Sequence, residues 1–202
     1  MDSRRDLAES ANQVLSESGA PQHSEEAIGH MVGDGAATLV ARAFAAAGCP
    51  EPPDALARFI EVYNLRLLKF TRPYPGIPEL LDELANRVVA AVLTNKPLRA
   101  TTAILSGLDL SKHFPDRILG GDGPLPRKPD PASLHFLMAR AGASASQTLM
   151  VGDSVIDWRT AHAASARSCI ARYGFGFWGF PVEETMIDDR FIDRPADLLS
   201  LL

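Results

Sequence analysis

The sequence predicts an α/β protein in which a parallel sheet carries helices on both faces, joined to a smaller region made only of helices. Residues 1–73 show apolar positions at helical spacing and no strand pattern. After the turn-forming PYPG stretch that starts at Pro73, short apolar runs alternate with helical segments. Such alternation is typical of a parallel sheet flanked by helices. We therefore predict two domains, residues 1–73 and residues 74–202.

Four helices are predicted in the first domain. The apolar residues of the first helix recur at helical spacing and are Leu7, Ala11, Val14 and Leu15. The second helix begins near Ser24, a preferred N-cap residue, and has glutamates in its first turn. The third spans residues 36–47 and ends at Gly48, and the fourth follows Pro53.

The second domain is predicted from short apolar runs separated by helical segments. Strands are expected at residues 88–93, 117–119, 148–151 and 168–172 and near Phe191. Helices are expected at residues 98–105, 131–141 and 158–166 and at the end of the chain up to Leu202. The run 88–93 is continuously apolar, as strands buried on both faces are. Ligands bind at the carboxyl ends of the strands in such sheets, so polar residues that follow a strand are candidates for function.

Composition narrows the class of protein. A chain of 202 residues with 46% apolar composition can bury the core of one domain or of a domain with a small insert. Its net charge of -5 and the absence of a basic run argue against nucleic acid or an anionic membrane as partner. The apolar stretches are too short to span a membrane, and the polar N-terminus is unlike a signal peptide. The two cysteines have no metal-binding spacing, so we expect a cytoplasmic protein with reduced thiols.

The strand predicted at residues 148–151 is followed directly by the sequence GDSVID. Asp153 is expected at the carboxyl end of this strand, and Asp157 about one helical turn later. Two carboxylates so placed can bind a hard cation such as Mg²⁺, directly or through water. A Gly-Asp turn in which Asp157 caps the next helix accounts for the same residues without a metal.

Two further motifs follow predicted strands. Thr94 and Asn95 end the run 88–93, where a hydroxyl, a side-chain amide and free backbone N–H groups can hold phosphate oxygens. A turn that closes the strand is the alternative. Lys128 lies in PRKPDP, where flanking prolines stiffen the loop and the lysine can neutralise a phosphate. The alternative is a solvated loop lysine, with Arg127 equally eligible for the role.

The remaining conspicuous residues receive no catalytic assignment from the sequence. The five histidines show no metal-ligand spacing and are interpreted as residues of the surface or of helix faces. The aromatic residues of the glycine-rich segment 173–180 could line the site or contact the cap, but core packing is the favoured interpretation.

The motifs together resemble the haloacid dehalogenase superfamily, in its phosphoglycolate phosphatase branch. The similarity is carried by RPYPG, VLTNKP, LGGD, RKPDPASL, LMVGDS and YGFG, in that order, and extends over nearly the whole chain. It implies a Rossmann-like core at residues 74–202. Residues 1–73, which include VGDG, resemble the small helical cap of that branch.

The resemblance implies a Mg²⁺-dependent phosphomonoester hydrolase that converts 2-phosphoglycolate to glycolate and phosphate through an aspartyl-phosphate. Thr94 and Asn95 would hold the transferring phosphoryl group, and Lys128 would neutralise it and orient the nucleophile. Asp153 would bind Mg²⁺, and Asp157 would support the metal or the lysine. The expected partner is a small phosphorylated metabolite.

The sequence departs from the family at its start. Family chains begin with an apolar strand that ends in D-x-D, whereas this sequence starts at Met1-Asp2-Ser3. The resemblance places the nucleophile and the acid–base aspartate on that strand, which would be central, between the strands that lead to Thr94 and Asp153. We therefore expect a protein that starts at Met1 to be inactive and to be unstable or to aggregate, and the complete protein to start upstream.

Other functions on the same fold stay open. A protein without turnover that binds phosphate or Mg²⁺, or serves as an interaction module, fits the residues present. A phosphosugar mutase or a phosphatase of another small phosphoester fits them as well. Dehalogenases of the superfamily lack the Gly-Asp that contains Asp153, and phosphonate-cleaving members use a cap lysine, for which only Lys69 precedes Lys96.

Overall fold

The computed structural model describes residues 1–202, which form two compact units, Met1–Arg72 and Pro73–Leu202. The boundary predicted from the sequence lies after Pro73, one residue further along the chain. No helix in either unit is long and apolar enough to cross a membrane.

The first unit is built from the four helices that the sequence predicts. They are α1 (Arg4–Glu17), α2 (Glu25–Gly29), α3 (Ala36–Ala46) and α4 (Ala55–Asn64). Their apolar faces meet in a core whose largest fully buried side chains include Leu15, Ile28, Phe44 and Phe59. Ser24 caps α2 as predicted, because its hydroxyl accepts the N–H of Ala27 at 3.1 Å.

A buried carboxylate joins the two ends of the first unit. The carboxylate of Asp6 is inaccessible to solvent, and its Oδ2 accepts the N–H of Phe70 at 2.9 Å and the N–H and hydroxyl of Thr71 at 2.7 Å each. Next to it, the backbones of Asp2 and Arg72 exchange two hydrogen bonds of 2.9 and 3.1 Å. Helix α1 is therefore fixed to the segment that leads out of the unit.

The second unit alternates strands and helices, as predicted. Its helices are α5 (Ile77–Leu84), α6 (Leu98–Gly107), α7 (Ala132–Ala141) and α8 (Val155–Ala163). Its strands are β1 (Val92–Leu93), β2 (Ile118–Leu119), β3 (Leu149–Gly152), β4 (Arg167–Ala171) and β5 (Arg190–Ile192). Short 3-10 helices cover Ser111–His113, Ala145–Gln147, Phe175–Phe177, Val182–Glu184 and Pro195–Leu201. Helix α5 was not predicted, and the expected C-terminal helix is of the 3-10 type.

All strand pairs are parallel, but they form two sheets rather than one. Strand β1 pairs with β2, and β3 pairs with β4, which pairs with β5. Strands β1 and β3 therefore each keep one edge without a strand partner. The two sheets share apolar packing, because Leu93 of β1 lies against the cluster that contains Met150 of β3.

The strand predicted at residues 88–93 forms only at its end. Val92 and Leu93 pair with β2, while Val88 and Val89 are 37% and 57% exposed. In β3, Val151 is likewise 41% exposed. The prediction that these apolar residues are buried was wrong, because β1 and β3 each have a strand neighbour on one side only.

Candidate active site

The site begins at the N-terminus of α8, directly after β3. Ser154 is the N-cap of α8, and its hydroxyl accepts the N–H of Asp157 at 3.4 Å. In return, Oδ2 of Asp157 accepts the Ser154 hydroxyl at 2.7 Å and the backbone N–H groups of Ser154 and Asp153 at 3.1 and 3.2 Å. This reciprocal capping holds the Asp157 side chain against the end of β3.

The second oxygen of Asp157 holds the lysine of the proline-rich loop. Nζ of Lys128 lies 2.5 Å from Oδ1 of Asp157, and both side chains are nearly buried, at 11% and 12% exposure. Burial raises the pKa of Asp157, but the Lys128 charge and the hydrogen bonds from Lys128 and Ser154 outweigh it and lower the pKa below its ordinary value. Asp157 is therefore ionised and paired, with both oxygens engaged by protein donors.

Asn95 connects the end of β1 to the same loop. Its side-chain amide donates to the carbonyl of Lys128 at 3.0 Å, and its side-chain oxygen accepts the N–H of Lys128 at 3.0 Å. The amide of buried Asn95 thus pairs with both backbone groups of Lys128, as a strand neighbour would. Thr94 stands beside it at the end of β1, where its hydroxyl accepts the N–H of Lys96 at 3.1 Å.

The two basic residues of the loop differ in direction. Nε of Arg127 donates to the carbonyl of Gly121 at 2.6 Å, away from the carboxylates, whereas Lys128 reaches Asp157. The glycines of this neighbouring loop allow close approach, since a Cβ at Gly121 would lie 2.4 Å from the carbonyl oxygen of Asn95.

Asp153 is the second carboxylate of the site. One oxygen, Oδ2, accepts the N–H of Gly176 at 3.0 Å, and Oδ1 accepts no hydrogen bond from the protein. Burial, followed by the nearby charge of Asp157, raises the pKa of Asp153 above its ordinary value. This carboxylate therefore carries a negative charge that the protein compensates only in part.

Of the two carboxylates in the site, only that of Asp153 has an oxygen available to bind Mg²⁺. Mg²⁺ is commonly bound by one or two carboxylates, with water and substrate phosphate completing its coordination. Oδ1 of Asp153 is available as a ligand, and a neighbouring cation would stabilise the negative charge of this carboxylate. Both oxygens of Asp157 already accept hydrogen bonds from protein donors. The structure contains no cluster of three or more His, Cys, Asp or Glu side chains that could hold a metal by themselves.

Four of the predicted site residues therefore form one arrangement. Asn95 binds the Lys128 backbone, Lys128 pairs with Asp157, and Asp153 stands beside Asp157 with a free oxygen. Thr94 is adjacent to Asn95 in sequence, and its hydroxyl accepts the N–H of Lys96 rather than binding a carboxylate. The arrangement offers a fixed cation, an amide and one available carboxylate at the carboxyl ends of strands from both sheets.

Sequence reasoning missed four contributors to this site: Ser154, Gly152, Gly176 and Tyr74, whose hydroxyl accepts the N–H of Phe175, the residue before Gly176, at 3.0 Å. Ser154 could have been found, because S-x-x-D after a strand is a variant of the capping-box pattern. Gly176 and Tyr74 could not, since neither a backbone N–H donor nor a hydroxyl acceptor leaves a periodic signal in the sequence. Gly152 also has a role that only the structure reveals, because a Cβ there would lie 2.2 Å from Cβ and Cγ of Asp157.

Comparison with known proteins gives consistent matches along the chain. The family model for haloacid dehalogenase-like hydrolases matches residues 1–171. A phosphoglycolate phosphatase from Rhodospirillum rubrum is 42% identical over 178 residues, which cover 84% of this chain and 73% of that protein. One from Caulobacter vibrioides is 33% identical, with 100% of this chain and 87% of that protein covered.

A solved structure has the same architecture. The crystal structure of a protein described as a predicted phosphoglycolate phosphatase from Haemophilus somnus superposes with a TM-score of 0.87 and is 31% identical. The superposition covers 99% of this chain and 92% of that one.

Proposed function

The chain belongs to the haloacid dehalogenase-like hydrolases, and we propose that it serves in the hydrolysis of 2-phosphoglycolate to glycolate and phosphate. The observation that carries this proposal is the buried pair of Lys128 and Asp157 beside the partly compensated carboxylate of Asp153. A small phosphorylated metabolite is the partner that such a site suits, because one fixed cation and one metal ligand match one phosphoryl group.

Lys128 and Asn95 are proposed to bind the phosphoryl group. The ammonium of Lys128 is held by Asp157, and the backbone N–H and carbonyl of Lys128 are held by Asn95. A cation fixed in this way needs little reorganisation as negative charge shifts during phosphoryl transfer. Thr94 adds a hydroxyl at the end of the same strand, β1.

Asp153 is proposed to hold Mg²⁺ through Oδ1, while Asp157 acts on Lys128 rather than on the metal. When bound, the ion would neutralise charge on the phosphoryl oxygens. Asp153 is kept in place for this role by the N–H of Gly176 on its other oxygen. The two carboxylates thus differ in task because their hydrogen-bond partners differ.

The attacking carboxylate is not supplied by the site described above. Asp157 is bound to Lys128, and Asp153 is the proposed metal ligand, so neither is available to attack phosphorus. By the resemblance, the nucleophile and the acid–base aspartate lie on a strand that ends in D-x-D, and none of the strands β1 to β5 ends in that motif. We propose that this strand pairs with the open edges of β1 and β3.

The other expectations from the sequence enter the proposal unchanged. The helical unit Met1–Arg72 is proposed to be the cap that selects the substrate in this family. We propose a cytoplasmic enzyme, in keeping with its two free cysteines and its acidic composition.

The second candidate function is phosphate or Mg²⁺ binding without turnover. One observation favours it: neither of the two carboxylates in the site is available as a nucleophile, since Asp157 pairs with Lys128 and Asp153 is the proposed metal ligand. A single assay separates the two functions. Release of phosphate from 2-phosphoglycolate is measured for the 202-residue protein and for the same protein preceded by an apolar strand ending in D-x-D.

We expect turnover only in the extended protein, and its loss in that protein when Asp153 is replaced by Asn. The matched negative control is an extension in which both aspartates are replaced by Asn. Binding of inorganic phosphate with no turnover in either protein would favour the second candidate. A greater turnover of another small phosphomonoester than of 2-phosphoglycolate would keep the phosphatase and change its substrate.

A further inference from the structure

A loop of glycines and aromatic residues lies against the carboxylate of Asp153. The N–H of Gly176 donates to its Oδ2 at 3.0 Å. A Cβ at Gly174 would lie 2.2 Å from Cβ and Oδ2 of Asp153, and one at Gly176 would lie 2.8 Å from Oδ1. The backbone at Gly174 and Gly176 therefore lies against the carboxylate and restricts the direction of both carboxylate oxygens.

Tyr74 holds the same loop at the neighbouring peptide group. Its hydroxyl oxygen accepts the N–H of Phe175 at 3.0 Å, across 101 positions of the chain. Its ring also meets the ring of Tyr173 edge to face, with centroids 5.3 Å apart. Two consecutive N–H groups of the loop are thus anchored, that of Phe175 by Tyr74 and that of Gly176 by Asp153.

Core packing fixes the start of this loop. Tyr173 packs against an apolar cluster that includes Leu80, Leu84 and Ile192. The loop is supported by the apolar contact at Tyr173, by the Gly174 N–H, which donates to the Ala171 carbonyl at 3.0 Å, and by the hydroxyl of Tyr74. The hydroxyl of Tyr74 binds the Phe175 N–H, which belongs to the peptide next to the one that reaches Asp153.

We propose that Tyr74 is a positioning residue for a divalent cation at Asp153, acting through the loop at residues 173–177. The inference rests on the proposed function, in which Oδ1 of Asp153 is the metal ligand. With Phe175 anchored, Gly176 keeps its hydrogen bond to Oδ2 and leaves Oδ1 for the ion. Outer residues that orient a metal ligand typically change metal affinity about 10- to 100-fold, and one step further out we expect about 3- to 10-fold.

The test is a titration with Mn²⁺, a spectroscopic substitute for Mg²⁺, followed by electron paramagnetic resonance of the free ion. Tyr74→Phe removes only the hydroxyl that accepts the Phe175 N–H. Tyr173→Phe is the matched control, because it also removes a tyrosine hydroxyl from the loop region, but not the one that accepts the Phe175 N–H. We expect Tyr74→Phe to bind Mn²⁺ about 3- to 10-fold more weakly and Tyr173→Phe to bind it as the unmodified protein does.

A second ligand separates positioning from general loosening of the fold. Inorganic phosphate without metal is proposed to bind at Asn95 and Lys128, which are held by their contacts with each other and with Asp157. We expect Tyr74→Phe to leave this affinity unchanged. An equal loss of phosphate and Mn²⁺ affinity would overturn the inference, as would Mn²⁺ binding equal to that of Tyr173→Phe.

Failure of the metal site itself is recognised separately. If Asp153→Asn binds Mn²⁺ as tightly as the unmodified protein, then Asp153 is not the ligand, and the proposed metal site and this inference fall together. If Asp153→Asn loses Mn²⁺ and Tyr74→Phe does not, only the inference fails. Gly176→Ala, whose Cβ would crowd Oδ1, is a second variant, and it is expected to weaken Mn²⁺ binding without changing phosphate binding.

Discussion

Asp157 binds the ammonium of Lys128 with one carboxylate oxygen at 2.5 Å and accepts three hydrogen bonds from the turn before it with the other. It therefore connects the end of β3 to a loop that Asn95 connects to the end of β1. Because its oxygens are committed, the neighbouring Asp153 is left as the carboxylate with room for a cation. The division of tasks between two aspartates four positions apart follows from these partners.

Replacing Lys128 should destabilise the protein strongly. Lys128→Met keeps the apolar stem and removes the ammonium, which leaves the buried carboxylate of Asp157 without its counter-charge. Breaking a buried ion pair from one side costs about 3–5 kcal/mol. The free energy of unfolding, measured with urea, should fall by that amount, and binding of inorganic phosphate should be lost.

An exposed ion pair in the same unit provides the control. Lys112 lies 3.1 Å from Asp109, with side chains that are 56% and 89% exposed. Exposed pairs contribute about 0–1 kcal/mol, so Lys112→Met should change little. Equal effects of Lys128→Met and Lys112→Met would mean that the pair with Asp157 is not buried in solution.

Replacing Asp153 should stabilise the metal-free protein. Its raised pKa means that the folded protein holds this proton more tightly than the unfolded chain, whose value is near the ordinary 3.8. The free energy of unfolding therefore decreases as pH rises from the pKa of Asp153 in the unfolded chain to its higher pKa in the folded protein. At pH values above the folded-state pKa it stays reduced. In Asp153→Asn this loss is absent, so we expect a higher melting temperature than that of the unmodified protein at pH 7 in a chelating buffer.

The neighbouring aspartate gives the opposite sign. The lowered pKa of Asp157 contributes stability that is present above its ordinary value of 3.8 and is lost as pH falls through the lowered value. Asp157→Asn should therefore lower the melting temperature at pH 7. Added Mg²⁺ should raise the melting temperature of the unmodified protein but not that of Asp153→Asn. Shifts of the same sign in both variants would contradict this assignment.

Much of the fold could be predicted because local patterns determine it. Helix α1 follows from apolar residues at helical spacing, and β3 follows from a short apolar run before a Gly-Asp turn. Helix α8 begins at Val155, earlier than the predicted residue 158, because Ser154 and Asp157 cap one another. That pattern is readable in the sequence, and the error lay in giving the apolar residues more weight than the cap.

The contacts within the site could not be predicted, because they join distant parts of the chain. Lys128 and Asp157 are 29 positions apart, and no spacing rule says which of two nearby aspartates a lysine selects. The division into two sheets was also beyond local patterns, since an apolar run does not reveal whether strands lie on both sides of it. Val88 and Val89 show the consequence, as they are apolar in sequence and exposed in the structure.

The close contact between Gly152 and Asp157 leads to a further prediction. A Cβ at Gly152 would lie 2.2 Å from Cβ and Cγ of Asp157, so Gly152→Ala must displace that side chain. We expect a loss of about 1–3 kcal/mol of unfolding free energy and weaker phosphate binding, because Lys128 loses its fixed partner. Gly123→Ala is the control, since its Cβ would make only ordinary contact, at 3.6 Å from the Gly120 carbonyl. Unchanged phosphate binding in Gly152→Ala would show that Asp157 does not position Lys128.

The buried carboxylate of Asp6 should determine the stability of the helical unit. Asp6→Ala leaves the N–H groups of Phe70 and Thr71 and the hydroxyl of Thr71 without their acceptor in a site closed to solvent. Unpaired buried donors cost about 1–3 kcal/mol each, so for these three donors we expect a total loss of about 3–9 kcal/mol in urea unfolding followed by circular dichroism. Asp54→Ala is the control, because Asp54 is exposed and its side chain makes no capping hydrogen bond at α4. Hydrogen exchange should locate the effect, with faster exchange at Phe70 and Thr71 in Asp6→Ala. Protection of those two amides equal to that in Asp54→Ala would show that this carboxylate does not hold the ends of the unit together.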